Sequence, residues 1–259
     1  MRKNVVLIGS GNVAEAFAEW IALSGNNLLQ IAARNREQGN ALAQRHNVPY
    51  TNDFSKIKRA DIYIISVSDS AIKEVSSMID AGDGIVVHTS GSCGTDELAG
   101  TINNKGVLYP LQTFTKGRKL NLRGIPLFIE ADGQEILGEI RIFAKELSEK
   151  VYDSNAEDRR KLHIGAVLTC NFVNHLYTLG YDFMESNGLN YEVLKPLIGE
   201  TAAKMNDYSG SPADLQTGPA VREDTEVINK HLEILGNDAQ LKHIYETITT
   251  SIIKKKKHG

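Results

Sequence analysis

The chain is poor in cysteine: its 259 residues carry only Cys93 and Cys170. Two isolated thiols provide neither a disulfide framework nor the ligand spacing of a zinc site, and no metal is expected. An excess of either charge is also missing. Lys and Arg number 29 against 32 Asp and Glu, a formal net charge of −3, which gives no electrostatic footprint for nucleic acid. The single basic cluster, Lys254–Lys257, falls at the end of the chain and reads as a frayed, solvated tail. A secretory pattern is absent too, because the first residues run straight into an apolar strand. One long apolar run exists, Leu162–Met184, but His163, Asn171, Asn174, His175 and two glycines interrupt it. Polar groups of that kind are expensive in lipid, so the run reads as a helix buried in protein and not as a membrane span. No internal repeat is visible. What remains is a cytoplasmic globular chain, 41% hydrophobic, long enough for one large domain or two modest ones.

What is present is concentrated at the start. Val5-Val6-Leu7-Ile8 runs into Gly9-Ser10-Gly11-Asn12-Val13-Ala14, and Val13, Phe17, Trp20 and Ile21 then recur on one helical face. That is strand, tight turn, helix. Gly9 permits the turn, Gly11 lets a pyrophosphate approach the backbone, and Ala14 still allows close helix–strand packing. The free N–H groups and dipole of the new helix face the phosphates. Gly9, Ser10, Gly11, Asn12 and Val13 are therefore expected along a bound dinucleotide. The second strand, about Leu28–Ala33, normally ends near an acid that holds a ribose 2′-hydroxyl. Here it ends in Arg34-Asn35-Arg36 with no acid. Guanidinium groups pair well with phosphate, so the three residues are expected to clamp the 2′-phosphate of NADP. Asp61–Val67 is apolar enough for a central parallel strand. Ligands lie outside the carboxyl ends of such strands, which places Val67, Ser68 and Asp69 along the cofactor; Asp69 also fits a helix N-cap.

Further strands are expected at Val48–Thr51, Gly84–His88, Val107–Phe114, Pro126–Glu130 and Val151–Tyr152, with helices at Gln38–His46 and Gln134–Glu149. The fifth strand ends in His88-Thr89-Ser90-Gly91-Ser92-Cys93-Gly94, small hydroxyl residues and glycines that suit a substrate. His88 fits equally a buried, hydrogen-bonded histidine and a catalytic one. After Ser154 no strand follows. Ser154-x-x-Glu157 reads as a capping box opening one helix through Met184. Helices at Tyr191–Asn206, kinked at Pro196, at Asp224–Leu235 and from Asn237 to Ile253 complete the chain. The expected fold class is α/β: a doubly wound Rossmann sheet over residues 1–153, then an all-helical domain over 154–259.

The chain resembles the Rossmann-like NADP-dependent oxidoreductases that carry a C-terminal helical domain of uncharacterised function. These are relatives of pyrroline-5-carboxylate reductase and, more distantly, of the 6-phosphogluconate and 3-hydroxyacid dehydrogenases. The resemblance rests on the glycine turn, Val67–Ile72, His88–Ser92, Tyr109–Phe114, Lys161-Leu162-His163 with Cys170-Asn171-Phe172, and Leu215–Asp224. It implies hydride transfer between NADP and a small carbonyl or imine. A Lys–Asn pair one helical turn apart, used by the hydroxyacid dehydrogenases, is missing after Lys161, and Thr217-Gly218-Pro219 differs from the closing motif of pyrroline-5-carboxylate reductase. His163, Val167, Cys170, Asn171 and Asn174 share a helical face instead. His163 is the expected general acid. Asn171 and Ser90 are expected at the reacting centre, with Ser92, Thr217 and Arg222 on the substrate. The rival reading is a non-catalytic NADP-binding sensor or assembly protein, because a fold alone does not establish an activity. A helix as apolar all round as Leu162–Met184 must be covered. A two-fold homodimer covers it most simply, with loop Leu215–Asp224 reaching the partner's cleft.

Overall fold

The computed structural model describes residues 2–118 and 120–258. Eight strands form one sheet: β1 (Asn4–Ile8), β2 (Asn27–Ala32), β3 (Tyr50–Thr51), β4 (Ile62–Ile65), β5 (Ile85–His88), β6 (Lys105–Pro110), β7 (Leu127–Ala131) and β8 (Val151–Asp153). Their order is β3-β2-β1-β4-β5-β6-β7-β8. The pairs from β3 to β6 are parallel, β6 and β7 are antiparallel, and β7 and β8 are parallel. The chain passes to one side of β1 through β2 and β3 and returns to its other side at β4. The switch point therefore lies between the carboxyl ends of β1 and β4, where an open α/β sheet offers a crevice.

Apolar residues on both faces of the central strands explain their continuous hydrophobic runs. Val5, Leu7, Ile62, Ile64 and Val87 pack with Phe17, Trp20 and Ile21 of α1 (Asn12–Ser24) and with Ile140 and Phe143 of α4 (Gln134–Leu147). Val6, Ile8, Tyr63, Ile65 and Val86 pack on the opposite face with Ile72 and Val75 of α3 (Ile72–Ser77). Helix α2 (Arg36–Arg45) follows β2, capped by the Asn35 side chain, which accepts from the Gln38 N–H.

The chain divides into two compact units, residues 1–171 and 172–259. The last strand ends at Asp153, yet the first unit continues through α5 (Ala156–Ala166). Arg159 explains this: it has no exposure to solvent and is bonded to Glu130 of β7 and to the Cys93 carbonyl. The cap of α5 is Asn155, which accepts from the Asp158 N–H, and not the expected Ser154. Ser154 is drawn instead to the Arg159 guanidinium and the Ile129 carbonyl.

The expected single helix through Met184 is interrupted by a π turn at Val167–Asn171 before α6 (Phe172–Ser186). Burial on every side does not come from this chain: Ile164, Leu168 and Phe172 are 60%, 56% and 56% exposed. In the second unit α6 is followed by α7 (Lys195–Asp207), α8 (Pro219–Arg222), α9 (Thr225–Ile234) and α10 (Ala239–His258). Pro196 sits in the first turn of α7, where its missing N–H costs nothing, and does not kink the helix. The basic cluster is not frayed. It belongs to α10, where Lys256 donates to the Val221 carbonyl and Lys257 pairs with Glu223. Among the described residues, no helix is long and apolar enough to cross a membrane, and no three His, Cys, Asp or Glu residues are placed to hold a metal.

Candidate active site

A cleft of about 750 Å³ opens at the carboxyl ends of β1, β4, β5 and β6 in the first unit. Its floor is the glycine turn. Gly9 has φ of +130°, and a Cβ there would collide with the Ser66 carbonyl at the end of β4. Gly11 serves a different purpose. It is the N-cap of α1 and offers no side-chain cap, and a Cβ built on it would meet nothing within 4 Å. The first N–H groups of α1 are thus left for a ligand, and the approach to them is open. Asn12 anchors the helix start by donating from Nδ2 to the Phe114 carbonyl at 2.9 Å.

The end of β2 forms one wall. Arg34 and Asn35 line the cleft; Arg36, the first residue of α2, does not. Asn35 spends its side-chain oxygen on the cap of α2, which leaves its amide N–H groups as donors. Arg34 is paired with Glu74 of α3 at 2.6 Å. Across the cleft Val67, Ser68 and Asp69 follow β4. Ser68, not Asp69, takes the N-cap position of the short helical turn there, and no side chain caps it.

The far end is built around the loop after β5. His88 is fully buried. Its Nε2 faces the Gly94 carbonyl at 2.9 Å and its Nδ1 faces the Ser90 N–H at 3.2 Å. A carbonyl only accepts and an N–H only donates, so the ring is the neutral Nε2–H tautomer. Burial, foremost, pushes its pKa down to about 4. His88 is a structural histidine that shapes the loop. Ser90 is nearly buried as well, and its Oγ accepts from the N–H groups of Ser92 and Cys93. Its hydroxyl folds the loop over, and the residue still lines the cleft.

Helix α5 closes this end through residues on one face. Arg159 donates to the Cys93 carbonyl at 2.6 Å, Arg160 donates to the Ser92 carbonyl at 2.9 Å, and His163 Nδ1 meets the Tyr109 hydroxyl at 3.2 Å. Tyr109 stands near the end of β6 with 8% exposure, its ring against Gly91, where a Cβ would strike it. Burial pushes the phenol's pKa up, so it keeps its proton. Arg159 has one orphan, a buried Nε without a partner.

Of the residues expected from the sequence, Gly9, Ser10, Gly11, Asn12, Val13, Arg34, Asn35, Val67, Ser68, Asp69, Ser90, Ser92 and His163 meet at this cleft. Asn171 is exposed in the π turn and does not line it. Thr217 and Arg222 belong to the second unit, where Thr217 lines a separate cavity of about 710 Å³ with walls such as Leu176, Phe183 and Ile248. Tyr109 was not foreseen as a site residue. Its signal was a tyrosine at the carboxyl end of a strand just before Pro110, the place where sheet side chains reach a ligand.

Two families match parts of the chain. The one described as NADP oxidoreductase, coenzyme F420-dependent, matches residues 4–91, and a domain of unknown function, DUF2520, matches residues 125–252. No curated protein matches the chain by sequence. Among solved structures, a Bacteroides fragilis protein designated an NADP oxidoreductase is 37% identical, with a TM-score of 0.91 and 98% of each chain covered. The 1-pyrroline-5-carboxylate reductase of Streptococcus pyogenes is 14% identical, with a TM-score of 0.63 over 98% of this chain and 99% of its own. An imine reductase of Myxococcus stipitatus in complex with NADP+ is 12% identical, with a TM-score of 0.61 over 99% of this chain and 95% of its own. The last two share the fold. Likeness to the first extends through both families' segments, and the chain belongs to the family of Rossmann-fold NADP oxidoreductases that this Bacteroides fragilis protein represents.

Proposed function

We propose that the protein binds NADPH in this cleft and reduces a small carbonyl or imine beside Tyr109 and His163. One observation carries the reading: the glycine turn and the Tyr109–His163 pair open into the same cavity of about 750 Å³. The residues fit a dinucleotide, because Gly9 permits the tight turn beside Ser66, Gly11 leaves the backbone accessible and no side chain caps the N-terminus of α1. Arg34 and Asn35 suit the 2′-phosphate, with Arg36 beside them. NADPH held there supplies the hydride, and the protein supplies orientation and the proton.

The proton comes from His163. In its imidazolium form Nδ1–H is held by the Tyr109 oxygen, which leaves Nε2–H for the substrate. Nε2 gives its proton to the substrate oxygen or nitrogen as the neighbouring carbon is reduced, so C=O becomes an alcohol and C=N an amine. The imidazole that remains keeps Nδ1–H on Tyr109 and is reprotonated from water. Ser92 and the loop that Ser90 folds would bound the substrate. In this reading the molecule is a cytoplasmic homodimer. Leu168 and Phe172, exposed in the single chain, support a second copy as their cover; Thr217, Arg222 and Asn171 would then serve the partner's substrate.

The test is a screen of pooled cyclic imines and ketones for loss of NADPH absorbance. With a substrate in hand, His163→Ala should lower kcat by about a hundredfold while NADPH affinity holds, and Tyr109→Phe should lower it less and shift the pH profile. Undiminished turnover by His163→Ala would remove the histidine from the mechanism.

A further inference from the structure

Among the described residues lining the cleft, Arg34 is the sole Lys or Arg. Its guanidinium is not idle. Glu74 of α3 places Oε1 at 2.6 Å from Arg34 Nη2, with the two side chains 56% and 54% exposed. The hydrogen bond first, and the charge second, hold the Glu74 carboxyl below its ordinary range and the Arg34 guanidinium above its own. Helix α3 presents this acid beside the cleft, since its Val75 and the preceding Ala71 line the same cavity. The sequence puts no acid at the end of β2, yet an acid from the segment after β4 reaches the arginine that stands there.

A carboxylate in that position does two opposing things. It competes with a 2′-phosphate for the same guanidinium and repels its negative charge. It also accepts a hydrogen bond from a neutral ribose 2′-hydroxyl, the task of the usual strand-end acid. We infer that Glu74 is a specificity-determining residue, which restrains the preference that Arg34 gives for NADPH and keeps NADH acceptable. This inference rests on the cofactor reading above and concerns the balance between the two dinucleotides, not the chemistry at His163.

Solvent screens an exposed pair, so the effect is a few-fold. Dissociation constants for NADPH and NADH, read by nucleotide fluorescence, are to be compared in the unmodified protein, Glu74→Gln, Arg34→Ala and the double variant. Glu74 is exposed and Gln has its shape, so folding is not at stake. Glu74→Gln should shift the ratio toward NADPH by about two- to fivefold, and the shift should be smaller in the Arg34→Ala background, where only the direct effect of the carboxylate on the 2′-group remains. An unchanged ratio in Glu74→Gln, with firm NADPH binding, overturns this inference alone. A shift just as large without Arg34 overturns it too, since competition for that guanidinium would then contribute nothing. Binding of neither dinucleotide to the unmodified protein overturns the cofactor reading together with it.

Discussion

His88 makes stability depend on pH in a defined window. Its ring is fully buried and held as the Nε2–H tautomer between the Gly94 carbonyl and the Ser90 N–H. A proton added at Nδ1 would point at the Ser90 N–H and break that bond. In the unfolded chain the same ring titrates near 6.5, in the folded chain at about 4. Between these values the unfolded state takes up a proton and the folded state does not, so unfolding gains as the pH falls. The stabilisation is complete above 6.5, declines through the window, and loses nothing further below about 4. The displacement corresponds to about 3 kcal/mol at its limit, and about 2 kcal/mol of that is lost between about pH 7 and pH 5. The assay is urea unfolding at a series of pH values, for the unmodified protein and for His88→Gln. An amide can donate to Gly94 and accept from Ser90 without titrating. His46, whose pKa burial also lowers, contributes with the same sign to both curves and drops out of their difference. The gap between the curves should therefore open steadily below about pH 6.5. Parallel curves down to pH 4 would refute a buried neutral His88.

Two further outcomes are expected. Arg159→Met leaves Glu130 without its partner and frees the Cys93 carbonyl; loss of one member of a buried pair costs about 3 kcal/mol or more, and because Glu130 keeps 22% side-chain exposure the loss should sit at the low end. Chemical unfolding measures it, and a loss below about 0.5 kcal/mol, the range of ordinary surface substitutions, would mean that α5 is not tied to the sheet through this side chain. In the proposed homodimer, Gly11→Asp mixed with Arg222→Ala should regain part of the activity that each lacks alone, whereas a monomer by sedimentation at micromolar concentration would exclude shared sites.

The parts of the fold that were legible are those coded within a few residues. Val5–Ile8 alternate between two apolar faces, and Gly9 must be glycine on account of its φ and of Ser66. What was hidden depends on distant partners. Tyr109 and His163 meet only because β6 and α5 end at the same place. A charged residue in an amphipathic helix reads as solvated, yet Arg159 is the second largest fully buried side chain. Asn155 and Ser154 are both good caps, and local pattern does not choose between them. The reversal of β7 was equally invisible, because an apolar strand reads alike in either direction. The π turn has no proline or glycine within it to announce it.

The sheet order also governs how this chain folds. β1 lies inside the sheet, third from the β3 edge, with Asn4 opposite Asn27 of β2 and Val5 opposite Ile62 of β4. Neither partner is a hairpin neighbour, so each pairing must first close a loop and forfeit its entropy. Until β5 arrives, β4 presents an unprotected row of N–H and C=O groups, and its Ile62-Tyr63-Ile64-Ile65 is apolar on both faces. Refolding should therefore be slow for the chain's size and sensitive to concentration, with the exposed β4 edge as the point where one molecule recruits another.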